Sequence, residues 1–139
     1  MKKMITCLLF LAAVFLLSGF TGAIGQEASA EKIFRSISPE EAVRMLQQRE
    51  DIIFLDIRTA KERSRGYIPG SQLAAFNDVA MGRLQLPENK PILLVCAVGG
   101  RSYFAGQILA KKGHREVYNL SGGVKKWYQS GLPLTYDKP

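Results

Sequence analysis

The sequence predicts an α/β domain in which a small parallel sheet is flanked by helices on both faces. Two short runs, residues 52–55 and 91–95, are strongly apolar, which is typical of strands buried on both faces. Segments with helical caps and helical apolar spacing alternate with these runs, as in parallel sheets. The chain of 139 residues has the length of one domain.

The first predicted helix follows a lead-in that we expect to be flexible over about 24–35. Ser38 is suited to cap this helix, Pro39 to its first position, and Glu41 to a capping box with Ser38. Apolar residues at helical spacing continue to about Gln48. A helix is therefore expected directly before the first apolar run.

Polar and turn-forming segments separate the two apolar runs. Residues 59–65 are charged and predict a short helix or turn, and residues 66–71 are rich in turn-forming types. Asn77 is a candidate cap for another short helix that ends before Pro87.

After the second run, the pattern alternates again between helix and strand. Lys111 and Lys112 favour the negative end of a helix, and Gly113 stops it. The predicted elements are a loop over 96–101, a helix over 102–112, a third strand over 116–120, a tight turn over 121–123 and a final helix over 124–129.

The N-terminus has the composition of an export signal. Lys2 and Lys3 precede an uncharged apolar run over 7–17, and small residues follow it. The run is shorter than the roughly 20 residues that span a bilayer, which favours a cleaved signal peptide over a retained anchor. We predict a signal peptide over 1–30 and a domain over 31–139.

Cleavage after Ala23 and cleavage after Ala30 both satisfy the small-residue rule, and both stay open. The mature protein is then expected in a bacterial periplasm, without stable membrane association. The alternative is a domain anchored by its N-terminus and facing outward.

The chain has two cysteines, Cys7 and Cys96. Cys7 lies in the apolar run of the signal, so cleavage leaves Cys96 alone and excludes an internal disulfide. A lone thiol in an oxidising compartment is a liability unless it has a function. Cys96 is therefore the first candidate for a chemical role.

The chain is basic, with a formal net charge of +7, which cleavage after Ala30 lowers by one unit. Such a balance favours anionic small molecules or acidic surfaces as partners. The basic residues are scattered, with no run longer than two and no interleaved aromatic residues. This pattern argues against nucleic acid as a partner.

Cys96 follows a predicted buried strand and precedes a glycine-bearing loop and a helix. Gly99 and Gly100 permit backbone dihedrals that turn N–H groups inward around the sulfur. The helix N-terminus adds partial positive charge and Arg101 a full one, which favours a thiolate or persulfide anion. The alternative is a small buried cysteine at a strand end before a glycine turn.

These segments resemble the rhodanese family of sulfurtransferases. Residues 96–102 are similar to the family's C-x-x-G-x-R-S active-site loop. Further similar segments come in the family's order: FLDIR at 54–58, GYIPGS at 66–71, VYNLSGG at 117–123, then Trp127 and GLP at 131–133. The resemblance covers about residues 36–134.

The resemblance implies a rhodanese-like α/β domain and a two-step sulfur transfer without a cofactor. The Cys96 thiolate takes a sulfane sulfur from thiosulfate or a persulfide, and the Cys96 persulfide passes it to cyanide or a thiol, including a protein thiol. The implied substrate-binding cradle is formed by the backbone N–H groups of Ala97, Val98, Gly99, Gly100 and Arg101. Arg101 also assists anion binding or holds the loop.

Two positions depart from the family pattern. Many members that favour thiosulfate carry a basic residue directly after the cysteine, whereas this chain has Ala97 and then Val98. The rim is less cationic, which argues against thiosulfate as the physiological donor. The apolar step also keeps open a non-catalytic or sulfur-relay module that binds a protein partner. Tyr67 stands where the family commonly has histidine.

Cysteine-based phosphatases and arsenate reductases have a similar loop with five residues between Cys and Arg. Here four residues separate Cys96 from Arg101. The shorter loop gives a narrower ring of N–H groups, which suits a single sulfur better than a tetrahedral phosphate. The spacing therefore favours sulfur transfer.

The remaining polar candidates are Asp56, Arg58, His114 and Asn119. Asp56 and Arg58 line the site or fix local structure as a pair, and we favour the structural role. His114 is predicted to be a solvated turn residue, and the role of Asn119 stays open. No His, Cys, Asp and Glu set has metal-ligand spacing, so no metal is predicted. A monomer or weak dimer is expected.

Overall fold

The computed structural model describes residues 32–136, which form a five-stranded sheet with helices on both faces. The strands are β1 (Ile33–Ile37), β2 (Ile53–Asp56), β3 (Gln72–Leu73), β4 (Ile92–Val95) and β5 (Glu116–Leu120). Neighbouring strands pair in parallel, in the order β1-β5-β4-β2-β3. The predicted parallel α/β class is confirmed.

The helices cover the two faces of the sheet. They are α1 (Pro39–Gln48), α2 (Ala60–Arg63), α3 (Phe76–Ala80), α4 (Gly100–Lys111) and α5 (Gly123–Gln129). Ala42 of α1 and Trp127 of α5 share a buried cluster with one face of the sheet. Val79 of α3 and Leu109 of α4 belong to the cluster on the opposite face.

β4 lies at the centre of the sheet, and all of its residues are buried. Leu93 and Val95 point into the core beneath α1 and α5, whereas Ile92 and Leu94 point into the opposite core. A strand covered on both faces must be apolar at every position, because successive side chains alternate between faces. Burial of each such side chain contributes about 1.5–3 kcal/mol. This well-packed strand leads directly into Cys96.

Two strands were not predicted from the sequence. The flexible lead-in predicted over about 24–35 is wrong from Ile33 onward, where β1 begins. β1 is an edge strand that pairs with β5 along its whole length. Its Phe34 packs against α4 so closely that a Cβ at Gly106 would collide with the phenyl ring. The two-residue β3 is the second addition.

The helix starts differ in how well they were predicted. The Ser38 hydroxyl accepts the Glu41 N–H at 3.2 Å, and Pro39 opens α1 as predicted. The cap predicted at Asn77 is wrong, because α3 begins at Phe76 and Asn77 lies inside it. α4 begins at Gly100, two residues before the predicted start.

His114 is buried rather than solvated, with 7% of its surface exposed. Its N–H donates to the Leu109 carbonyl at 3.2 Å, which folds the turn back onto α4. The next residue, Arg115, donates its N–H to the Glu88 carbonyl at 3.2 Å and draws a distant segment against the turn. The prediction failed because this covering segment comes from elsewhere in the chain.

The signal peptide predicted over 1–30, its cleavage after Ala23 or Ala30, and Cys7 all lie outside the described residues. Within residues 32–136, no helix combines the length and the apolar character that crossing a membrane requires. In the same stretch, no three His, Cys, Asp or Glu side chains are grouped so as to hold a metal ion.

Candidate active site

The loop from Cys96 to Gly99 connects the carboxyl end of β4 to the N-terminus of α4. Its last residue, Gly99, has a φ of +92°, in the left-handed region that glycine adopts readily. A Cβ at Gly99 would also lie 2.9 Å from the backbone nitrogen of Gly122. Both the dihedral and the close approach therefore require glycine at this position.

The Cys96 sulfur is surrounded by hydrogen-bond donors. The Gly99 N–H donates to Sγ at 3.1 Å, and the Ser102 hydroxyl lies 3.3 Å from Sγ. Burial raises the pKa of the Cys96 thiol, but hydrogen bonds from Ser102, Val98 and Gly99 together hold that pKa below its ordinary value. The site therefore favours a thiolate.

The N-terminus of α5 determines how the loop backbone is oriented. The Val124 N–H donates to the Cys96 carbonyl at 2.9 Å, and the Lys125 N–H donates to the Ala97 carbonyl at 3.1 Å. Gly123 allows this contact, since a Cβ there would lie 2.7 Å from the backbone nitrogen of Val98. With these carbonyl groups turned towards α5, the N–H groups of Val98 and Gly99 face the sulfur.

Arg101 is committed to an ion pair with Glu62 of α2. Both guanidinium Nη atoms donate to the Glu62 carboxylate, with Nη1 at 3.1 Å from Oε2. The Arg101 bond and a Thr59 N–H at 2.9 Å lower the pKa of Glu62 to about 2. Glu62 also raises the pKa of Arg101, and Cys96 adds to that effect. Arg101 thus ties the loop to α2 while its charge acts on the sulfur.

Asp56 and Arg58 form a buried pair at the end of β2. Arg58 Nη2 lies 2.7 Å from Asp56 Oδ2, and Nε lies 2.9 Å from Oδ1. Arg58 also donates to the Gly66 carbonyl at 2.9 Å, and Arg63 lies 3.5 Å from the same carboxylate. These contacts fix the chain on either side of α2, which supports the structural role favoured from the sequence.

Sequence reasoning assigned no role to Glu62 or to Ser102, and it left the role of Asn119 open. The Ser102 hydroxyl lies 2.6 Å from the Asn119 side-chain oxygen, and the Asn119 nitrogen donates to the Ser36 hydroxyl at 2.9 Å. An asparagine inside an otherwise apolar strand is the signal that could have been used, because a buried amide needs partners.

Two apolar side chains, one in the loop that holds the sulfur and one in α4, are exposed to solvent. Cys96 is 1% exposed, whereas Val98 is 62% exposed and Phe104 is 56% exposed. The Phe104 ring lies 6.3 Å from the Phe76 ring. A cleft of about 210 Å³ beside the loop is lined by Ile57, Arg58, Thr59, Ala75, Phe76, Asn77 and Arg101. The exposed side chains of Val98 and Phe104 are therefore apolar, whereas the cleft also presents the charged Arg58 and Arg101.

The structure places the predicted substrate-binding residues 97–101 next to one another on the loop and the start of α4, but their contacts differ. Val98 and Gly99 supply N–H groups to the sulfur. Ala97 contributes its carbonyl to α5, and Gly100 opens α4. The catalytic and substrate-binding roles of these residues stay predictions.

A protein-family model described as a rhodanese-like domain matches residues 38–130. A sulfurtransferase from Allochromatium vinosum is 32% identical over 98 residues, which cover 70% of this chain and 92% of that protein. A thiosulfate sulfurtransferase from Pseudoalteromonas translucida is 31% identical over 94 residues, which cover 68% of this chain and 89% of that protein. The crystal structure of a rhodanese-like domain protein from Staphylococcus aureus is 27% identical, with a TM-score of 0.64 over 75% of this chain and 99% of that one.

Proposed function

This chain belongs to the rhodanese-like domain family, and on that premise we propose that it transfers sulfane sulfur through a persulfide on Cys96. The observation that carries the proposal is the Gly99 N–H, which donates to the Cys96 sulfur at 3.1 Å. Backbone N–H groups aimed at a sulfur stabilise it as an anion, which is the nucleophilic form. The similarity to proteins named sulfurtransferases supports sulfur transfer as the general activity.

In the first step, the Cys96 thiolate attacks the sulfane sulfur of a donor. A bond forms between Cys96 Sγ and that sulfur, and the sulfur–sulfur bond of the donor breaks. The electron pair leaves with the rest of the donor, as a thiolate from a persulfide or as sulfite from thiosulfate. The resulting Cys96 persulfide is an anion that the loop N–H groups can stabilise.

In the second step, a thiophilic acceptor attacks the terminal sulfur of the Cys96 persulfide. The acceptor–sulfur bond forms, the sulfur–sulfur bond to Cys96 breaks, and the thiolate is restored. Cyanide becomes thiocyanate, and a thiol becomes a persulfide. The two steps balance without an added oxidant or reductant.

We infer that an organic persulfide is a better donor than thiosulfate. Ala97 and Val98 bring no charge to the rim, and Arg101 is already paired with Glu62. A dianion such as thiosulfate needs more positive charge at the entrance than this loop supplies. A persulfide with an apolar substituent instead fits the exposed Val98 and Phe104 side chains.

The test is a cyanide-dependent thiocyanate assay with thiosulfate or an alkyl persulfide as donor. The wild-type protein is expected to turn over, faster with the persulfide, and Cys96→Ser is expected to fall to the uncatalysed rate. Mass spectrometry after exposure to donor alone should show one added sulfur on Cys96. If no donor gives either thiocyanate turnover or an added sulfur on Cys96, the proposed enzymatic activity is refuted.

A second candidate is a relay module that passes sulfur only to a protein partner. It is favoured by one observation, the exposure of Val98 and Phe104 beside a buried sulfur, because apolar rims suit protein surfaces better than small anions. One added sulfur on Cys96 without cyanide turnover would favour this module over the enzyme.

We further propose that the protein is exported, on the signal-like composition of residues 1–30. The intact mass of the protein recovered outside the cytoplasm reports cleavage after Ala23 or after Ala30. A full-length mass in a membrane fraction would favour the anchored alternative instead.

A further inference from the structure

A chain of hydrogen bonds leads from the Cys96 sulfur to the protein surface. Ser102 Oγ lies 3.3 Å from Cys96 Sγ and 2.6 Å from Asn119 Oδ1. Asn119 Nδ2 donates to Ser36 Oγ at 2.9 Å. Ser36 and Asn119 are paired positions on β1 and β5, so their side chains share one face of the sheet. Ser102 and Asn119 are buried, whereas Ser36 is exposed.

The Ser102 hydroxyl has one proton and three neighbours that can accept it. These neighbours are the Cys96 sulfur, the Asn119 side-chain oxygen and the Gly99 carbonyl at 3.2 Å. The contact with Asn119 is the shortest, so while Cys96 is a neutral thiol the proton points to the amide oxygen. Ser102 then offers only lone pairs to Cys96, which suits a neutral thiol that donates its own S–H.

A 180° rotation of the Asn119 amide about its Cβ–Cγ bond reverses the direction of the hydrogen bonds that join Ser36, Asn119, Ser102 and Cys96. It exchanges the amide oxygen and the NH₂ group, and both neighbours are hydroxyls, which donate as well as accept. The NH₂ group then donates to Ser102, and the Ser102 proton is free to donate to an anionic sulfur. Ser36 donates to the amide oxygen, so every buried polar group keeps a partner.

We propose that Asn119 is a positioning residue whose amide orientation sets whether the Ser102 hydroxyl accepts from a thiol or donates to an anionic sulfur at Cys96. The inference rests on the proposed function, in which the anionic sulfur is the nucleophile. The thiol proton itself leaves to solvent, and the half-turn of the amide carries no proton from Cys96 to Asn119. An amide is suited to this role because it holds a donor and an acceptor on one rigid group.

Charged groups lie around the loop and must be kept constant in any test. They are Glu62 of α2, Arg101 of α4, Lys125 of α5 and the Asp56–Arg58 pair at the end of β2. Of these, Arg101 interacts with the sulfur. Replacing Asn119 by a neutral residue leaves all of these charges in place, so a change at Cys96 then reports on the hydrogen-bond chain.

The test measures the rate at which iodoacetamide alkylates Cys96 as a function of pH. Full-length protein is used, and the Cys96 peptide is quantified by mass spectrometry so that Cys7 does not contribute. The thiolate is the reacting form, so the rate follows its population. Asn119→Leu keeps the size of the side chain but removes the NH₂ group that turns Ser102 towards the sulfur, so the Ser102 proton turns to the Gly99 carbonyl at 3.2 Å. Loss of this one hydrogen bond to a charged group is expected to lower the rate near neutral pH about tenfold.

The double variant separates a positioning role from a general loss of structure. Because Asn119 acts through Ser102, adding Asn119→Leu to Ser102→Ala is expected to leave the alkylation rate of Ser102→Ala nearly unchanged. Equal slowing in both backgrounds, or a wild-type rate in folded Asn119→Leu, overturns the proposal. Asn89→Leu makes the same change at an exposed turn and is expected to keep the wild-type rate.

Asn119→Asp is the second variant, and it covers the case in which Asn119→Leu does not fold. A carboxylate accepts from Ser102 but cannot donate to it, so alkylation is again expected to slow, and an unchanged rate contradicts the proposal. Alkylation needs no sulfur donor. A protein that transfers no sulfur but shows these rates would therefore refute the proposed function alone.

Discussion

Two neighbouring strands of the sheet end side by side, and their ends are built in opposite ways. β2 ends in Asp56, a fully buried carboxylate that Arg58 binds at 2.7 Å. β4 leads into Cys96, whose sulfur meets the N–H of Gly99 and the hydroxyl of Ser102. The first end neutralises a charge with a directly bound opposite charge, whereas the second supports an anion mainly with neutral donors.

The end of β2 therefore serves stability, whereas the end of β4 serves reactivity. An ion pair whose partners satisfy each other is inert, and it is costly to break because one charge is left buried. A sulfur held mainly by neutral donors, with the nearby Arg101 bound to Glu62, keeps its negative charge available to an incoming electrophile. The Asp56 end holds the chain around α2, and α2 in turn holds Arg101 through Glu62.

The largest effect is expected when the ion-pair end is broken. Asp56→Asn leaves the buried Arg58 charge without its counter-ion and is expected to lower the free energy of unfolding by about 3–5 kcal/mol. Urea denaturation measures this change. Asp78→Asn breaks an exposed pair with Arg83 and is expected to cost less than about 1 kcal/mol. An equal loss of unfolding free energy in the two variants would show that the buried Asp56–Arg58 pair stabilises the fold no more than an exposed pair does.

A smaller loss of stability is expected when a side chain is added to a glycine in or after α5, the helix that contacts the Cys96 loop. Gly123 and Gly131 both have positive φ, +59° and +73°, but a Cβ at Gly131 meets nothing within 4 Å. Gly131→Ala is expected to cost about 1–2 kcal/mol of stability and to leave Cys96 alkylation unchanged.

Gly123→Ala carries the same dihedral cost and also pushes against the loop, so alkylation of Cys96 is expected to slow as well. The two variants are compared by urea denaturation and by alkylation at neutral pH. Equal alkylation rates would mean that α5 does not orient the N–H groups around the sulfur.

The smallest loss of stability is expected from the Glu62–Arg101 ion pair, which joins α2 to the start of α4. The pKa of Glu62 is depressed to about 2, so ionised Glu62 stabilises the fold fully above the ordinary value of 4.5, and this contribution is lost as the pH falls towards 2. Both side chains are partly exposed, so Glu62→Gln is expected to cost about 1 kcal/mol or less at neutral pH. The cost should shrink below pH 4.5, as measured by urea denaturation over a pH series. A cost that stays constant with pH would assign the stabilisation to packing.

The central elements could be predicted because their signals are local. β5 spans Glu116–Leu120 as predicted, and the apolar run before Cys96 is β4. Burial on both faces demands apolar residues at consecutive positions, and a glycine-bearing loop before a helix is readable in the sequence. The position of Cys96 at a strand end followed from the same pattern.

The remainder depends on partners that are distant in the chain. β1 is an edge strand with exposed positions, and its pairing partner β5 lies far from it in the sequence. The contacts of Arg101 with Glu62 and of Ser102 with Asn119 join separate elements. Side-chain spacing along one segment carries no information about such pairs, so these parts of the site became visible only in the structure.

Residues 96–102 are not a transplantable module on their own. The carbonyl groups of Cys96 and Ala97 are occupied by N–H groups of α5, and the glycine at 123 makes that approach feasible. A loop moved alone into another scaffold would lack these donors, and its backbone would be free to turn carbonyl oxygens towards the sulfur. A protein designer who wants this reactivity must therefore graft two segments, 96–102 and 121–125, in their mutual geometry.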